Sequence, residues 1–455
     1  MVFAINIGPY LKGLKQIFIR QSLNRFKKIV VLLFLLSFKI FIVVNVSKTR
    51  NFTDNIRRLS ERHEKKEDIS VETLMMDQEP IKTSTIIRKG KNYKSILIWN
   101  SPERIETAVF GSGHEPFLRH GCEIFHCEIF HNETALQLKD YDAIVMNMHV
   151  IWLTELPFFK RRQHQRFIFM TQESPASMFL LNASKLKNYF NWTMSYRLNS
   201  DIQFLYGRIH VGPSAPKTVL ETRQLIEATQ QPSAKNYAYT KKQLVAWMAS
   251  HCNTPSLRET YVNQLKMASH CNTPSLRETY VNQLKKFISV DVYGECGKLS
   301  CDRNESHWLS DAKCYAMLEE KYKFYLSFEN SICDDYVTEK FFEIMKRNIV
   351  PIVYGGANYT QIAPSHSYID ALQFTPEKLA EYLKTLDAND TLYNEYFWWK
   401  DYYTVEAGVE QMARHGFCDL CEKLHRDWEG TKYYPELTSE WHPKKRCKRF
   451  DSWES

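Results

Sequence analysis

Between Phe324 and Phe342 the chain reads Phe-Tyr-Leu-Ser-Phe-Glu-Asn-Ser and then, after Ile332-Cys333-Asp334-Asp335, Tyr-Val-Thr-Glu-Lys-Phe-Phe. An aromatic-rich apolar run ends at Ser327, and a polar loop crosses Glu329 to Asp335. A helix is expected to open near Tyr336, with Glu339 and Lys340 in its first turn. A strand running through a polar loop into a helix is the building unit of α/β folds. Ligands there sit beyond the carboxyl ends of parallel strands, where helix N-termini favour anions.

Runs of the same kind recur. One series comprises Ser95-Ile96-Leu97-Ile98-Trp99, Ala143-Ile144-Val145-Met146 and Phe167-Ile168-Phe169-Met170. A second comprises Leu244-Val245-Ala246-Trp247, Ile288 to Tyr293, Tyr325-Leu326-Ser327 and Ile349 to Tyr354. Apolar runs separated by helix-length segments indicate parallel sheets, and the polar stretch Ala215 to Tyr237 separates the two series. Two doubly wound domains are therefore expected, at 93–225 and 236–400, followed by a Cys-rich extension at 401–455. A chain of 455 residues, 44% of them hydrophobic, has ample material for both cores, which excludes disorder and a peptide-sized scaffold.

The first 28 residues carry Lys12, Lys15, Arg20, Arg25, Lys27 and Lys28 and no acid, and an apolar run follows from Ile29. This is read as a cytosolic tail (1–28) and a transmembrane signal anchor (29–46), in which Lys39 must snorkel or face a partner. No small-residue cleavage site follows the run, which disfavours a cleaved signal peptide. A charged stem (47–92) leads into the globular part. A lumenal location is supported by sequons at Asn51, Asn132, Asn182, Asn191, Asn304, Asn358 and Asn389, and by eleven cysteines that all lie beyond the anchor. The net charge of +8 gathers largely at the two ends of the chain, which argues against a nucleic-acid partner.

The block from Phe324 to Phe342 resembles the signature of the α1,3/4-fucosyltransferases, GDP-fucose-dependent enzymes of glycosyltransferase family 10. The resemblance extends over about residues 93 to 425. It implies a GT-B-like α/β fold, two Rossmann-like domains facing a cleft behind the membrane helix and stem. It also implies donor binding by Asn330, Tyr336, Glu339 and Lys340, with Lys340 offsetting leaving-group charge. On the residues alone, Glu339 and Lys340 read equally as an ordinary exposed first-turn pair.

Glu173, in Thr171-Gln172-Glu173-Ser174-Pro175, directly follows an apolar strand. The glutamate of the family's Glu-Ser-Pro segment is its proposed base, and inversion at the anomeric carbon requires one. The other reading of Glu173 is a capping residue before a Pro-bounded turn. Asn191 to Arg197 matches a further family segment, to which no chemistry is assigned.

The family's diphosphate-binding arginine maps to two positions, because Met248 to Lys266 and Met267 to Lys285 are identical nineteen-residue segments. Arg258 directly follows the strand at 244–247 and is preferred. Arg277 keeps the natural link to the strand at 288–293. Asp334-Asp335 does not form an Asp-x-Asp metal motif, so no cofactor is expected to be required, with divalent-metal stimulation left open.

His415, Cys418, Cys421 and His425 have a spacing that also suits zinc, but an oxidising lumen favours a disulfide, either between Cys418 and Cys421 or from them to Cys122 and Cys127. The expected activity is inverting transfer of L-fucose from GDP-fucose to a GlcNAc of a glycoprotein N-glycan, core or antennal, by a single-pass type II Golgi membrane protein with a lumenal catalytic domain. The alternatives are a non-catalytic lumenal glycan- or nucleotide-binding relative inactivated by the duplication, and a transferase that prefers UDP to GDP.

Overall fold

The computed structural model describes residues 93–100, 104–149, 156–178, 186–231, 233–249, 273–294, 296–301, 312–426 and 432–448. The expected tail, membrane anchor and stem lie outside these residues, as does Arg258. Among the described residues no helix is long and apolar enough to cross a membrane.

The first series of apolar runs forms a six-stranded sheet: β1 (Lys94–Ile98), β2 (Cys127–Phe130), β3 (Ala143–Asn147), β4 (Arg166–Thr171), β5 (Trp192–Ser195) and β6 (Ile202–Gln203). Its order is β2-β1-β3-β4-β5-β6, and every pairing is parallel. Successive side chains of a strand point to opposite faces. Ala143 and Val145 accordingly enter one core while Ile144 and Met146 enter another. A parallel sheet covered on both faces needs apolar residues at every position, which is why these strands read as unbroken runs. From this sheet β7 (Gly207–Val211) leads away toward the second.

The second sheet comprises β8 (Gln243–Met248), β9 (Val290–Tyr293), β10 (Tyr322–Phe328), β11 (Val350–Tyr354) and β12 (Ile369–Asp370), in the order β12-β11-β10-β8-β9 and again all parallel. Phe324, Leu326 and Phe328 face one core; Tyr322 and Tyr325 face the other. Each such large apolar side chain contributes about 1.5–3 kcal/mol by leaving water. The direction of winding reverses between β1 and β3 in the first sheet and between β8 and β10 in the second. Such reversals splay the adjoining loops apart and open a crevice at the carboxyl ends of the strands.

Helices cover the sheets. The ones that bear on the site are α1 (Ile105–Phe110), α2 (Arg277–Leu284), α3 (Ala312–Lys321), α4 (Glu339–Met345), α5 (Pro376–Asp387) and α6 (Val409–Arg426). The helix expected near Tyr336 opens three residues later, with Thr338 as its N-cap residue.

The chain returns from the second sheet through β13 (Tyr403–Ala407), which pairs antiparallel with β7, and then α6 buries Met412, Ala413, Phe417, Leu420 and Leu424 in the core of the first sheet. Residues 409–426 are thus built into the first half of the molecule. Cys418 and Cys421, three residues apart on α6, present both sulfurs to the same neighbour and bond to Cys122 and Cys127 respectively. The alternative pairing of Cys418 with Cys421 is therefore overturned. The Cys127 and Cys421 sulfurs next to His425 are bonded to each other, so they cannot serve zinc as thiolates.

Asn191 corrects one expectation. It is fully buried; its side chain accepts from the Phe167 backbone N–H at 2.8 Å and donates to the Lys432 carbonyl at 2.8 Å, so this sequon is a structural asparagine. Asn132, Asn358 and Asn389 are exposed.

Candidate functional site

The loop after β10 and the turn before α2 meet at the β8/β10 reversal of the second sheet. Ser275 donates from its backbone N–H to the Asn330 carbonyl at 3.2 Å and from its hydroxyl to the Glu329 carbonyl at 2.8 Å. The Tyr354 hydroxyl donates to the Ser275 carbonyl at 2.8 Å. These three bonds hold Leu276 in the left-handed region (φ 54°), a conformation that costs a non-glycine residue about 1–3 kcal/mol and persists only where its surroundings fix it. Arg277 then opens α2. Its Nη1 donates to the Phe328 carbonyl at 2.8 Å and its Nε to Glu278 at 3.0 Å, which fixes the guanidinium beside the end of β10.

Glu329 is fully buried. It accepts from the Thr338 backbone N–H at 2.8 Å and from the Thr338 hydroxyl at 2.9 Å, satisfying donors at the start of α4. Burial pushes its carboxyl above the ordinary range, against the pull of Lys340. Lys340 Nζ lies 2.8 Å from Glu339 Oε1, 2.8 Å from the Thr338 hydroxyl and 3.6 Å from Glu329 Oε2. Burial opposes the ammonium, yet Glu339 and Glu329 together hold it above its ordinary value, while the Arg277 charge works the other way. Two cations, Lys340 and Arg277, thus share one electrostatic neighbourhood. The Asn330 side-chain oxygen is buried there with no hydrogen-bond partner among the described residues.

Close packing shapes the loop's far side. A Cβ on Gly356 would stand 2.6 Å from the Cys333 carbonyl oxygen, so only glycine lets β11's exit pass this closely.

Glu173 follows β4 and faces this loop. The Tyr336 hydroxyl lies 3.4 Å from Glu173 Oε2, and the Ser174 hydroxyl donates to Ser331 at 2.8 Å. Glu173 is half-buried. Its negative charge is felt at Arg104, at His149, which follows the end of β3, and at Tyr206, whose hydroxyl donates to the Gln172 carbonyl at 3.0 Å. Burial lowers the His149 imidazole below its ordinary range, against the pull of Glu173. Arg104 is tied at 2.6 Å to the fully buried Glu106 in α1. The arrangement sets a half-buried carboxylate, a group able to accept a proton, across from a loop whose neighbourhood holds the two cations Lys340 and Arg277.

Five expected site residues, Asn330, Tyr336, Glu339, Lys340 and Arg277, are thus brought together on the second half, with Glu173 facing them from the first. Arg258, preferred on sequence, lies outside the described residues, and the second copy of the repeat supplies the turn and helix beside β10. Sequence reasoning did not single out the supporting groups Ser275, Thr338, Arg104, His149 and Tyr206. Glu329 could have been noticed, because it is the first charge after a strand of buried residues.

Comparison with solved structures finds two similar chains. They are titled as an alpha1,3-fucosyltransferase with GDP (TM-score 0.44, 16% identity, covering 77% of this chain and 95% of that one) and the same with GDP-fucose (TM-score 0.43, 15% identity, covering the same shares). In sequence, the chain is 36% identical to Alpha-(1,3)-fucosyltransferase C of Drosophila melanogaster, over 70% of each chain. It is 31% identical to Glycoprotein 3-alpha-L-fucosyltransferase A of the same organism, over 78% of this chain and 61% of that one. Residues 91–207 match the model "Fucosyltransferase, N-terminal", and residues 265–441 match "Glycosyltransferase family 10 (fucosyltransferase) C-term". The two matches span more than half of the chain; the first copy of the repeat falls almost wholly between them, and the second copy lies inside the second match. The chain belongs to glycosyltransferase family 10, the fucosyltransferases.

Proposed function

We propose that this fucosyltransferase moves L-fucose from GDP-fucose to O3 of a GlcNAc residue on a glycoprotein N-glycan, with inversion at the anomeric carbon. The observation that carries the reading is the 3.4 Å approach of Tyr336, on the donor-side loop, to Glu173, on the opposite sheet. Relatives named as alpha-(1,3)- and glycoprotein 3-alpha-L-fucosyltransferases support the linkage and the acceptor class.

Glu173 removes the proton from the acceptor hydroxyl as its oxygen attacks the anomeric carbon, and the bond from that carbon to the diphosphate oxygen breaks. GDP leaves with the electron pair. Its growing charge is met by Lys340 and Arg277, already positioned by Glu339, Glu278 and the Phe328 carbonyl, so little reorganisation is needed during the reaction. Neither role calls for a metal ion. We assign the protein to the Golgi membrane as a type II protein with this site in the lumen, an assignment that rests on the basic tail, the apolar run from Ile29 and the disulfides Cys122–Cys418 and Cys127–Cys421.

The test is incubation of the purified full chain with GDP-fucose or UDP-sugars and an N-glycopeptide, followed by linkage analysis of the product. A fucose on O3 of GlcNAc, formed from GDP-fucose alone, is the expected result. Transfer from a UDP-sugar, or nucleotide binding without transfer, would replace this reading with another nucleotide sugar or with a non-catalytic binding protein.

A further inference from the structure

The matched family region ends at residue 441, yet the chain continues onto the donor-side loop. Residues 432–441 dock on the first sheet. Asn191 donates to the Lys432 carbonyl at 2.8 Å, and Tyr434 exchanges backbone hydrogen bonds of 3.0 Å with Asn188 and Phe190. The Trp441 ring, 2% exposed, lies 5.2 Å from Phe169 and 5.8 Å from Tyr196. Tyr196 in turn packs edge-on against Tyr336 at 4.9 Å.

Beyond Trp441 the chain crosses to the loop after β10. Cys447 bonds to Cys333, the Lys448 N–H donates to the Ile332 carbonyl at 2.8 Å, and the Asp334 N–H donates to the Arg446 carbonyl at 2.8 Å. The loop that carries Asn330 and Tyr336 is therefore gripped from one side by Ser174 and Glu173 and from the other by residues 446–448.

We propose that residues 441–448 are a strap that holds the donor-side loop in its nucleotide-binding position, with Cys333 and Cys447 as positioning residues. This rests on the fucosyltransferase reading of the same site. The geometry separates the strap from the general stability of the fold. The docking of 432–441 uses hydrogen bonds and Trp441 packing that do not involve the disulfide, and the covalent bond adds only the hold on loop 330–336. Opening it leaves the tail docked, with two backbone hydrogen bonds and the Arg446–Asp334 ion pair between tail and loop, a weaker hold that lets the loop leave its bound conformation part of the time. If the loop is competent for one-fifth of the time, the apparent dissociation constant for nucleotide rises about fivefold.

The test compares the purified full chain with its Cys333→Ala/Cys447→Ala double variant, which leaves no unpaired thiol at this site. The expected result is a rise of about fivefold or more in KM for GDP-fucose and in the Kd for GDP, with kcat within about twofold and KM for the glycopeptide unmoved. A purely structural disulfide would lower the melting temperature and leave those two constants where they are, and that result overturns the proposal.

Should the double variant fail to fold, the folded wild-type chain is treated with limiting phosphine, which is oxidised to its oxide as the two sulfurs become thiols. The thiols are then alkylated and mapped by mass spectrometry. Unchanged GDP affinity in chains opened at Cys333–Cys447 likewise overturns the strap. A wild-type chain that binds no GDP overturns both the strap and the reading beneath it, whereas tight GDP binding insensitive to the disulfide overturns the strap alone.

Discussion

The Tyr336 hydroxyl lies 3.4 Å from Glu173 Oε2, joining the loop after β10 to the loop after β4. Glu173 accepts from that hydroxyl, and Tyr336 is itself 2% exposed. The bond fixes the carboxylate without making it depend on tyrosine chemistry. Tyr336→Phe should preserve the fold and lower kcat by roughly fivefold, the worth of about 1 kcal/mol for one hydrogen bond. A steady-state assay with a matched melting curve checks both parts.

The second copy of the repeat provides Ser275 and Arg277, both bonded to carbonyls at the end of β10, with the left-handed Leu276 between them. Deleting residues 248–266 replaces Met248-Ala249 with the identical Met267-Ala268 and should leave a folded, active chain. Arg277→Ala should raise KM for GDP-fucose by about tenfold or more, as expected when a buried charge contact worth at least ~1.4 kcal/mol is lost. Arg258→Ala should leave it unchanged. Kinetics of the three variants decide between the copies.

Glu329 answers two donors of Thr338 at the mouth of α4. Glu329→Ala would bury both without a partner, at a cost of about 1–3 kcal/mol each. Glu329→Gln keeps an acceptor there and should lose less. Urea unfolding of the pair should show this ranking, with Lys340-dependent GDP affinity reduced in both because one of the two carboxylates that hold the ammonium is gone.

At the opposite end of α4, Lys400 donates to the Met345 and Arg347 carbonyls at 2.8 and 2.6 Å. Burial lowers its amine to about 7. The unfolded chain, whose lysines titrate near their ordinary value of about 10.4, binds the extra proton between these two values, so stability should rise as pH climbs from about 7 toward 10. Below pH 7 both states are protonated and this contribution stops changing. Unfolding free energies measured from pH 7 to 9.5 should slope upward in the wild type and less so in Lys400→Met.

Much of the fold was legible because parallel strands buried on both faces are rich in apolar residues, and residues 143–146, 167–170, 324–326 and 349–354 supply such runs. The positions of Glu173 and Lys340, in or just past loops that follow such runs, were legible, whereas the roles expected of them came from the family resemblance. The partnership of Glu173 with Tyr336, separated by 163 residues, was not, since it depends on how the two sheets meet. The choice between Arg258 and Arg277 was closed to sequence because the two copies are identical; the contact of Arg277 with the Phe328 carbonyl depends on how the chain folds back onto β10. Asn191 carried a sequon signal that burial overrides, because pattern does not report exposure.

The central claim is that Glu173 is the base and that Lys340 and Arg277 bind the donor. Glu173→Gln measured beside wild type for both GDP affinity and fucose transfer tests it most directly. The account predicts GDP binding within about twofold of wild type and a fall in kcat of about 10²–10⁴, the usual worth of a general base. Transfer retained at wild-type rates, or GDP binding lost together with transfer, would contradict it.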